Sequence, residues 1–239
     1  MKLLRGDGPL IRVGHRGAAM LAPENTLRSF ETALAHGVDA IEFDVIAADD
    51  GPLLLGHSLA ELPTQRATLD DALDYLAARD VAAHVDLKLT TRMDEVVSAL
   101  ERHGLLGRAV VSSFHRPSLE AVAAHPAPVP IGFTYPEDRY GVSKRRGLKP
   151  AIRLGTLALR QALAARIPAM IAKVGADALM LQHAVVSRTT VVRAHAAGVA
   201  VWAWTVDDAA ELERLDAIGV DAVISNDPRI FSALATLPP

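Results

Sequence analysis

Short apolar runs alternate with longer amphipathic segments along the whole chain. Several runs are almost continuously apolar, which is typical of parallel strands that are covered on both faces. The eight predicted strands are Leu10–Val13, Ala40–Val45, Ala82–Leu87, Ala109–Ser112, Pro130–Phe133, Ala178–Leu181, Ala200–Thr205 and Ala222–Ile224. The helical patterns between them include Thr26–Ala35, Leu69–Ala78, Met93–His103, Pro117–Ala124, Arg188–Ala197 and Ala209–Ile218.

This alternation predicts an α/β fold, either a closed parallel barrel or an open doubly wound sheet. No G-x-G-x-x-G motif follows the first strand and no Walker motif occurs. The sequence therefore lacks the motifs that usually indicate a nucleotide-binding sheet. The 239 residues are close to the roughly 250 of a typical (β/α)8 barrel. We therefore predict a single (β/α)8 TIM barrel domain over residues 1–239, with a long strand-to-helix connection at Tyr135–Leu154.

Composition excludes several classes of partner and site. The net charge of −3 and the pI of about 6.3 give no general attraction to nucleic acid, so no nucleic-acid partner is expected. The chain has no cysteine, which excludes disulfides and Cys-based zinc sites. Its most apolar long stretch, Leu154–Val174, contains three cationic residues, and no signal peptide is apparent. We expect a soluble, cytoplasmic protein without stable membrane association.

In a barrel of this kind, functional side chains gather on the loops that follow the strands. His15 and Arg16 directly follow the first strand, and Glu42 and Asp44 lie two residues apart in the second, on the same side of it. Two carboxylates in an otherwise apolar strand are costly without a cation. A divalent metal would explain them, and oxygen ligands suit Mg²⁺, Ca²⁺ or Mn²⁺. The alternative is an ion pair with Arg16 or Lys88.

Three more polar side chains are expected close to this group. His57 follows the short apolar run 53–55, and Asp86 and Lys88 share one face of the third strand. The combined set contains three carboxylates, two histidines, one lysine and one arginine. Such a set can hold a metal, neutralise a phosphate and move protons near neutral pH.

Several motifs resemble those of glycerophosphodiester phosphodiesterases, and they occur in the family's order over nearly the whole chain. The motifs up to Asp50 are the most specific. The matching residues are His15-Arg16-Gly17, Pro23-Glu24-Asn25-Thr26, Glu42-Phe43-Asp44-Val45, Asp50-Gly51, His57, Asp86-Leu87-Lys88, Ser112-Ser113-Phe114, Trp204-Thr205-Val206, Gly219-Val220-Asp221 and Asp227-Pro228.

The resemblance implies a (β/α) barrel that hydrolyses glycerophosphodiesters to glycerol 3-phosphate and an alcohol, a reaction of lipid and glycerol metabolism. By position in the motifs, Glu42, Asp44 and Asp86 are implied to bind the metal. His15 and His57 are implied to act as the general base and the general acid.

The same resemblance implies that Arg16 and Lys88 bind the phosphate and that Trp204 forms a wall of the pocket. The expected partner is a small-molecule phosphodiester. The expected cofactor is Mg²⁺ or Ca²⁺, with Mn²⁺ as a further option, and the choice between a monomer and a homodimer stays open.

Three departures from the family pattern bear on activity. Asp86 stands where the family usually has Glu, which shortens this side chain by one methylene, and Ser58 follows His57 where the family usually has Asp. Only residues 58–66 separate His57 from Ala67-Thr68-Leu69, where the next helix is predicted to start. The small subdomain that the family normally inserts there is missing, so a more open site is expected.

Two other functions compete with hydrolysis. A phospholipase-D-like lyase acting on lysophospholipids or sphingolipids would give a cyclic phosphate, and a non-catalytic phosphodiester-binding barrel would bind metal without turnover. His115 and His183 also follow strands and are secondary candidates for substrate contact, whereas His84 lies within a strand and is interpreted as structural. Glu24 and Asn25 are expected to cap the first helix or to orient the ligands.

Overall fold

Nine β-strands form one sheet within residues 2–47, 50–61, 66–137 and 149–236, which are the residues that the computed structural model describes. The strands are β1 (Ile11–Gly14), β2 (Ala40–Ala47), β3 (Leu53–Leu55), β4 (Ala82–Leu87), β5 (Ala109–Ser113), β6 (Ile131–Tyr135), β7 (Ala178–Gln182), β8 (Ala200–Trp204) and β9 (Ala222–Ser225). All except β3 are parallel, and they close into a barrel because β1 pairs with both β2 and β9. The predicted TIM barrel is confirmed.

β3 is an addition to the eight predicted strands. It pairs antiparallel with the last residues of β2, from Ala47↔Leu53 to Val45↔Leu55. The chain therefore leaves the barrel at the end of β2, turns back along it, and brings the residues after β3 to the C-terminal face. His57 lies in this returning segment.

Helices cover the outside of the barrel; the six predicted ones lie close to their predicted positions, and a helix over residues 149–174 is additional. They are α1 (Leu27–Ala35), α2 (Leu69–Ala77), α3 (Met93–Arg102), α4 (Arg116–Ala123), α5 (Lys149–Val174), α6 (Arg188–Ala196) and α7 (Ala209–Ala217). The start of α5 shortens the predicted connection Tyr135–Leu154, of which residues 138–148 lie outside the described part of the chain. None of the helices within the described ranges has the length and apolar character to cross a bilayer.

The strands have an inner and an outer apolar face, as the near-continuous runs predict. Outward residues such as Leu179 and Val201 pack under the helices, whereas alternate inward residues fill the barrel. Among the described residues, Trp202 is the largest fully buried side chain, and it donates its indole N–H to the carbonyl of Leu3 at 3.3 Å. Alanines on neighbouring strands leave space for this ring, so the lower part of the barrel is a packed core.

The loop between β1 and α1 is held in place by close packing against the start of the helix. Thr26 caps α1 by accepting the backbone N–H of Ser29 at 3.2 Å, and the Ser29 hydroxyl donates to the carbonyl of Arg16 at 2.8 Å. Gly17 adopts a φ of 84°, and a Cβ at this position would lie 2.3 Å from Oγ of Ser29. Only glycine fits here, so Gly17 fixes the path of the chain just after His15 and Arg16.

We expect Gly17→Ala to lower the free energy of unfolding by about 2–5 kcal/mol, because a left-handed φ and overpacking are both imposed on the new side chain. Gly107→Ala is the matched control, since a methyl there meets no atom within 4 Å. It should change stability by no more than about 1 kcal/mol. Chemical denaturation of the two variants measures the difference, and equal losses would contradict the packing argument.

Candidate active site

Three buried carboxylates meet at the C-terminal end of the barrel. Glu42 and Asp44 point inward from β2, and Asp86 lies opposite Asp44 on the neighbouring β4. One oxygen atom from each of the three side chains lies within 4.8 Å of the others. The predicted convergence of these residues is therefore present in the structure.

Two cations lie against the carboxylates. Nε of Arg16 is 2.9 Å from Oδ2 of Asp44, and Nζ of Lys88 is 3.1 Å from Oδ1 of Asp44 and contacts Asp86 as well. The ion pairs considered as an alternative to a metal are thus formed. They leave the group one negative charge in excess, because three carboxylates face two cations.

The pKa shifts follow from this crowding. Burial, reinforced by the carboxylates of Asp44 and Asp86, raises the pKa of Glu42 well above its ordinary value. Burial also acts to raise the pKa of Asp44, but His57, Lys88 and Arg16 together lower it well below the usual range. Glu42 is therefore the least compensated of the three carboxylates. A divalent cation would supply the missing charge, and buried carboxylate oxygens are suitable donors, so the residues fit such an ion.

The loop after β1 orients both Asp44 and Arg16. The side-chain oxygen of Asn25 accepts the backbone N–H of Asp44 at 3.0 Å, and its amide nitrogen donates to Oδ2 of Asp44 at 3.1 Å. Glu24 accepts two contacts of 2.9 Å from Nη1 of Arg16. Of the two roles expected for this pair, orienting the site residues is the one observed, and Thr26 caps the helix.

Asp86 is oriented by residues that share its layer of the barrel. The hydroxyl of Ser112 on β5 donates to Oδ1 of Asp86 at 2.5 Å, and Nε2 of His84 lies 2.8 Å from the same hydroxyl. Burial lowers the pKa of His84 to about 4, which favours the neutral ring. Because the Ser112 hydroxyl gives its proton to Asp86, this hydroxyl accepts Nε2–H from His84. His84 thus supports a site residue, and its position two residues before Asp86, on the same face of β4, is the sequence signal for that role.

The two histidines of the predicted pair lie in different surroundings. His15 is largely buried, with Nε2 at 3.8 Å from Oε2 of Glu42 and Nδ1 at 2.6 Å from Oδ1 of Asn226. Burial and the nearby Arg16 lower the pKa of His15. The side chain of His57 is 41% exposed, and its Nδ1 lies 3.5 Å from Oδ2 of Asp44 and 3.2 Å from Nη2 of Arg16.

Asn226 and Asp207 were not among the predicted site residues, although both lie just beyond strand ends. Asn226 directly follows β9, and Asp207 lies three residues after β8. The amide of Asn226 donates to Oδ2 of Asp207 at 2.7 Å. The motif residue Asp227 instead pairs with Arg229.

A cavity of about 180 Å³ opens between these side chains. Trp204 lines it, as expected, with its indole N–H donated to the carbonyl of Met180 at 2.9 Å. The ring of Phe114 packs edge-on against Trp204 at 5.8 Å. The lining residues are His15, Arg16, Glu42, His57, His84, Asp86, Lys88, Ser112, Phe114, Thr134, Met180, Trp204, Thr205 and Ile224.

The two secondary candidates do not belong to this lining within the described residues. Nδ1 of His115 lies 2.8 Å from the hydroxyl of Ser118, inside helix α4. Nδ1 of His183 lies 2.6 Å from Oε1 of Glu211 in α7. Each contact joins a loop to a helix, so the structure gives both histidines a stabilising role outside the cavity.

Residues 15–74 and 81–230 match the model of the glycerophosphoryl diester phosphodiesterase family. The chain belongs to this family. It is 23% identical over 252 aligned positions to the glycerophosphodiester phosphodiesterase of Caldanaerobacter subterraneus subsp. tengcongensis, covering 90% of this chain and 93% of that protein.

Solved structures of similar proteins share the fold. A glycerophosphodiester phosphodiesterase from Thermotoga maritima superposes with a TM-score of 0.71 at 18% identity, covering 96% of this chain and all of that one. A phosphodiesterase from Oleispira antarctica, solved in complex with the product sn-glycerol-3-phosphate, gives a TM-score of 0.72 at 20% identity over 95% and 97% of the two chains.

The structure places two of the three departures from the family pattern, Asp86 and the segment after His57. The shorter Asp86 still reaches the other two carboxylates and is held by Ser112 and Lys88. Between β3 and α2, the described residues include a short 3-10 turn, Leu59–Glu61. His57, two residues before this turn, lines the cavity with a partly exposed side chain.

We expect replacement of Asn25 to destabilise the fold through its two bonds to Asp44. Asn25→Gly should lower the free energy of unfolding by about 1–3 kcal/mol, because buried groups of Asp44 lose their partner. Asn25→Ala should cost roughly 1 kcal/mol more, since Asn25 has a left-handed φ of 57°. Chemical denaturation of both variants separates the loss of the amide's hydrogen bonds from the cost of the left-handed backbone. Wild-type stability of the glycine variant would refute the role of the amide.

Proposed function

We propose that this chain is a metal-dependent phosphodiesterase that hydrolyses glycerophosphodiesters to glycerol 3-phosphate and an alcohol. The observation that carries the proposal is the buried cluster of Glu42, Asp44 and Asp86 beside Arg16 and Lys88 at one cavity. Family membership supports the same reaction, as does the product bound to the similar Oleispira antarctica protein.

Glu42, Asp44 and Asp86 would hold Mg²⁺, Ca²⁺ or Mn²⁺. When bound, such an ion supplies positive charge that polarises the phosphate for attack. Arg16 and Lys88 line the same cavity and can donate charge-assisted hydrogen bonds to the non-bridging phosphate oxygens. Arg16 is pre-oriented for this task by Glu24.

His15 and His57 divide the proton transfers in this proposal. Burial and the nearby Arg16 lower the pKa of His15, which favours the neutral ring, and this ring would take the proton of the attacking hydroxyl. The nucleophile is either water or the 2-hydroxyl group of the glycerol moiety. Nδ1 of His57 faces the Nη2 donor of Arg16, so Nε2 carries the proton that His57 would give to the departing alkoxide on the solvent side.

We further propose that residues 1–239 act as one catalytic domain on a small-molecule phosphodiester in the cytoplasm, as a monomer or a homodimer. A role in lipid and glycerol metabolism follows from that substrate. The slight net negative charge of −3 supports a partner other than nucleic acid or an anionic membrane.

Hydrolysis of glycerophosphocholine, followed by ³¹P NMR, tests this function with Mg²⁺, Ca²⁺ or Mn²⁺ and then with a chelator. We expect metal-dependent release of glycerol 3-phosphate. Asp44→Asn should lower kcat at least about 10²-fold, because it removes a charged oxygen from the cluster. Asp70→Asn is the matched control, since Asp70 lies on α2 and its side chain is 59% exposed.

The alternatives give different results in this assay. A cyclic phosphate as the end product, with a lysophospholipid preferred over glycerophosphocholine, would identify the lyase. Bound metal without turnover of any diester would identify a binding barrel and refute hydrolysis.

His57→Ala should lower kcat for glycerophosphocholine about 10²–10⁴-fold, because an alkoxide needs a proton to leave. The loss should be much smaller for bis(p-nitrophenyl) phosphate, whose nitrophenolate leaves without one. His115→Ala, which changes a histidine on the same face of the barrel but outside the cavity, should retain activity on both substrates. Equal losses on the two substrates would refute the role of His57 as an acid.

A further inference from the structure

His15 is held by a chain of hydrogen bonds that runs across three neighbouring strand ends. Nδ1 of His15, after β1, lies 2.6 Å from Oδ1 of Asn226, which follows β9. The amide nitrogen of Asn226 donates to Oδ2 of Asp207, after β8, at 2.7 Å. β8, β9 and β1 are adjacent in the barrel, so the closure of the sheet brings the three residues together.

Asp207 is oriented by more than this one contact. Its Oδ1 accepts the backbone N–H of Asn226 at 2.8 Å and the hydroxyl of Ser225 at 3.1 Å. With Oδ1 committed to these two donors, Oδ2 faces the side chain of Asn226. Asp207 is exposed to solvent, so these three donors, and not burial, hold its orientation.

The chemistry of the groups decides which way the Asn226 amide points. A carboxylate only accepts hydrogen bonds, so the NH₂ group of Asn226 must face Asp207. The opposite orientation would place two oxygens 2.7 Å apart. The amide oxygen therefore faces His15, and since an amide oxygen also only accepts, Nδ1 of His15 must carry the proton. Nε2 is then the nitrogen with the free lone pair.

We propose that Asp207, which does not touch His15, acts through Asn226 as a positioning residue that selects Nε2 of His15 as the basic nitrogen. The proposal rests on the function assigned above, in which His15 takes a proton from the nucleophile. The central partner is a neutral amide, which cannot take up a proton from His15. The chain therefore sets the tautomer and orientation of the ring and does not relay protons to Asp207.

The isosteric variant Asp207→Asn tests this directly. Its side-chain oxygen can keep the contacts with the backbone of Asn226 and with Ser225, while its new NH₂ group faces the NH₂ group of Asn226. The Asn226 amide is then expected to turn over and present NH₂ to His15. That reversal moves the proton of His15 from Nδ1 to Nε2.

Imidazole ¹⁵N NMR at about pH 8, where a histidine of ordinary pKa is neutral, reads the tautomer without turnover. His15→Gln assigns the resonances by their loss. We expect Nδ1–H for His15 in the wild type and Nε2–H in Asp207→Asn. His84 is an internal control, because its Nε2–H to Ser112 should be unchanged.

The exchange variant, Asn226→Asp together with Asp207→Asn, restores every hydrogen bond of the chain and moves the carboxylate from position 207 to position 226. It should return His15 to Nδ1–H. With saturating metal, Asp207→Asn should lower kcat for glycerophosphocholine about 10–100-fold with little change in KM, as for other groups that orient a site residue. The exchange variant should recover most of that loss, which a merely structural role of Asp207 would not produce.

Persistence of Nδ1–H in Asp207→Asn would overturn the proposal, as would equal kcat losses in the single and the exchange variant. Failure of the proposed function looks different. In that case the wild type would not hydrolyse glycerophosphocholine. The NMR spectra would still show the His15 tautomer reversed in Asp207→Asn and restored in the exchange variant.

Discussion

Crowding of like charge among buried side chains is the constraint around which the C-terminal end of this barrel is arranged. Glu42, Asp44 and Asp86 are almost fully buried, and one oxygen of each lies within 4.8 Å of the others. Carboxylates at such distances cannot all remain ionised without compensation. Arg16 and Lys88 supply two positive charges, and the residual charge is what makes the site suited to a divalent cation.

Much of the surrounding structure serves to hold those charges in position. Asn25 binds Asp44 through both its amide atoms, Ser112 binds Asp86, and Glu24 binds Arg16. These partners come from two separate parts of the barrel, the loop after β1 and strand β5, so the site depends on correct assembly of the barrel. The tightly packed loop at Gly17 is part of the same arrangement, because it carries Arg16 to the carboxylates.

The fold and the charged residues could be predicted because their signals are local. A period of two places Glu42 and Asp44 on one face, and alternating strands and helices indicate the barrel. The neighbours of His15 could not be found in this way. Asn226 and Asp207 meet only because β8, β9 and β1 are adjacent, and an uncharged amide gives no sign of its function. β3 was missed as a strand because three residues are too short for a periodic pattern.

The unequal exposure of His15 and His57 has a consequence for the range of diesters that the site can accept. Both histidines line the cavity, but the side chain of His15 is 19% exposed, whereas that of His57 is 41% exposed. In the proposed reaction, the alcohol that His57 protonates would leave on this more exposed side of the cavity. Discrimination among diesters would then depend on the glycerol phosphate part, which stays in the cavity. The protein would be expected to accept headgroups of many sizes.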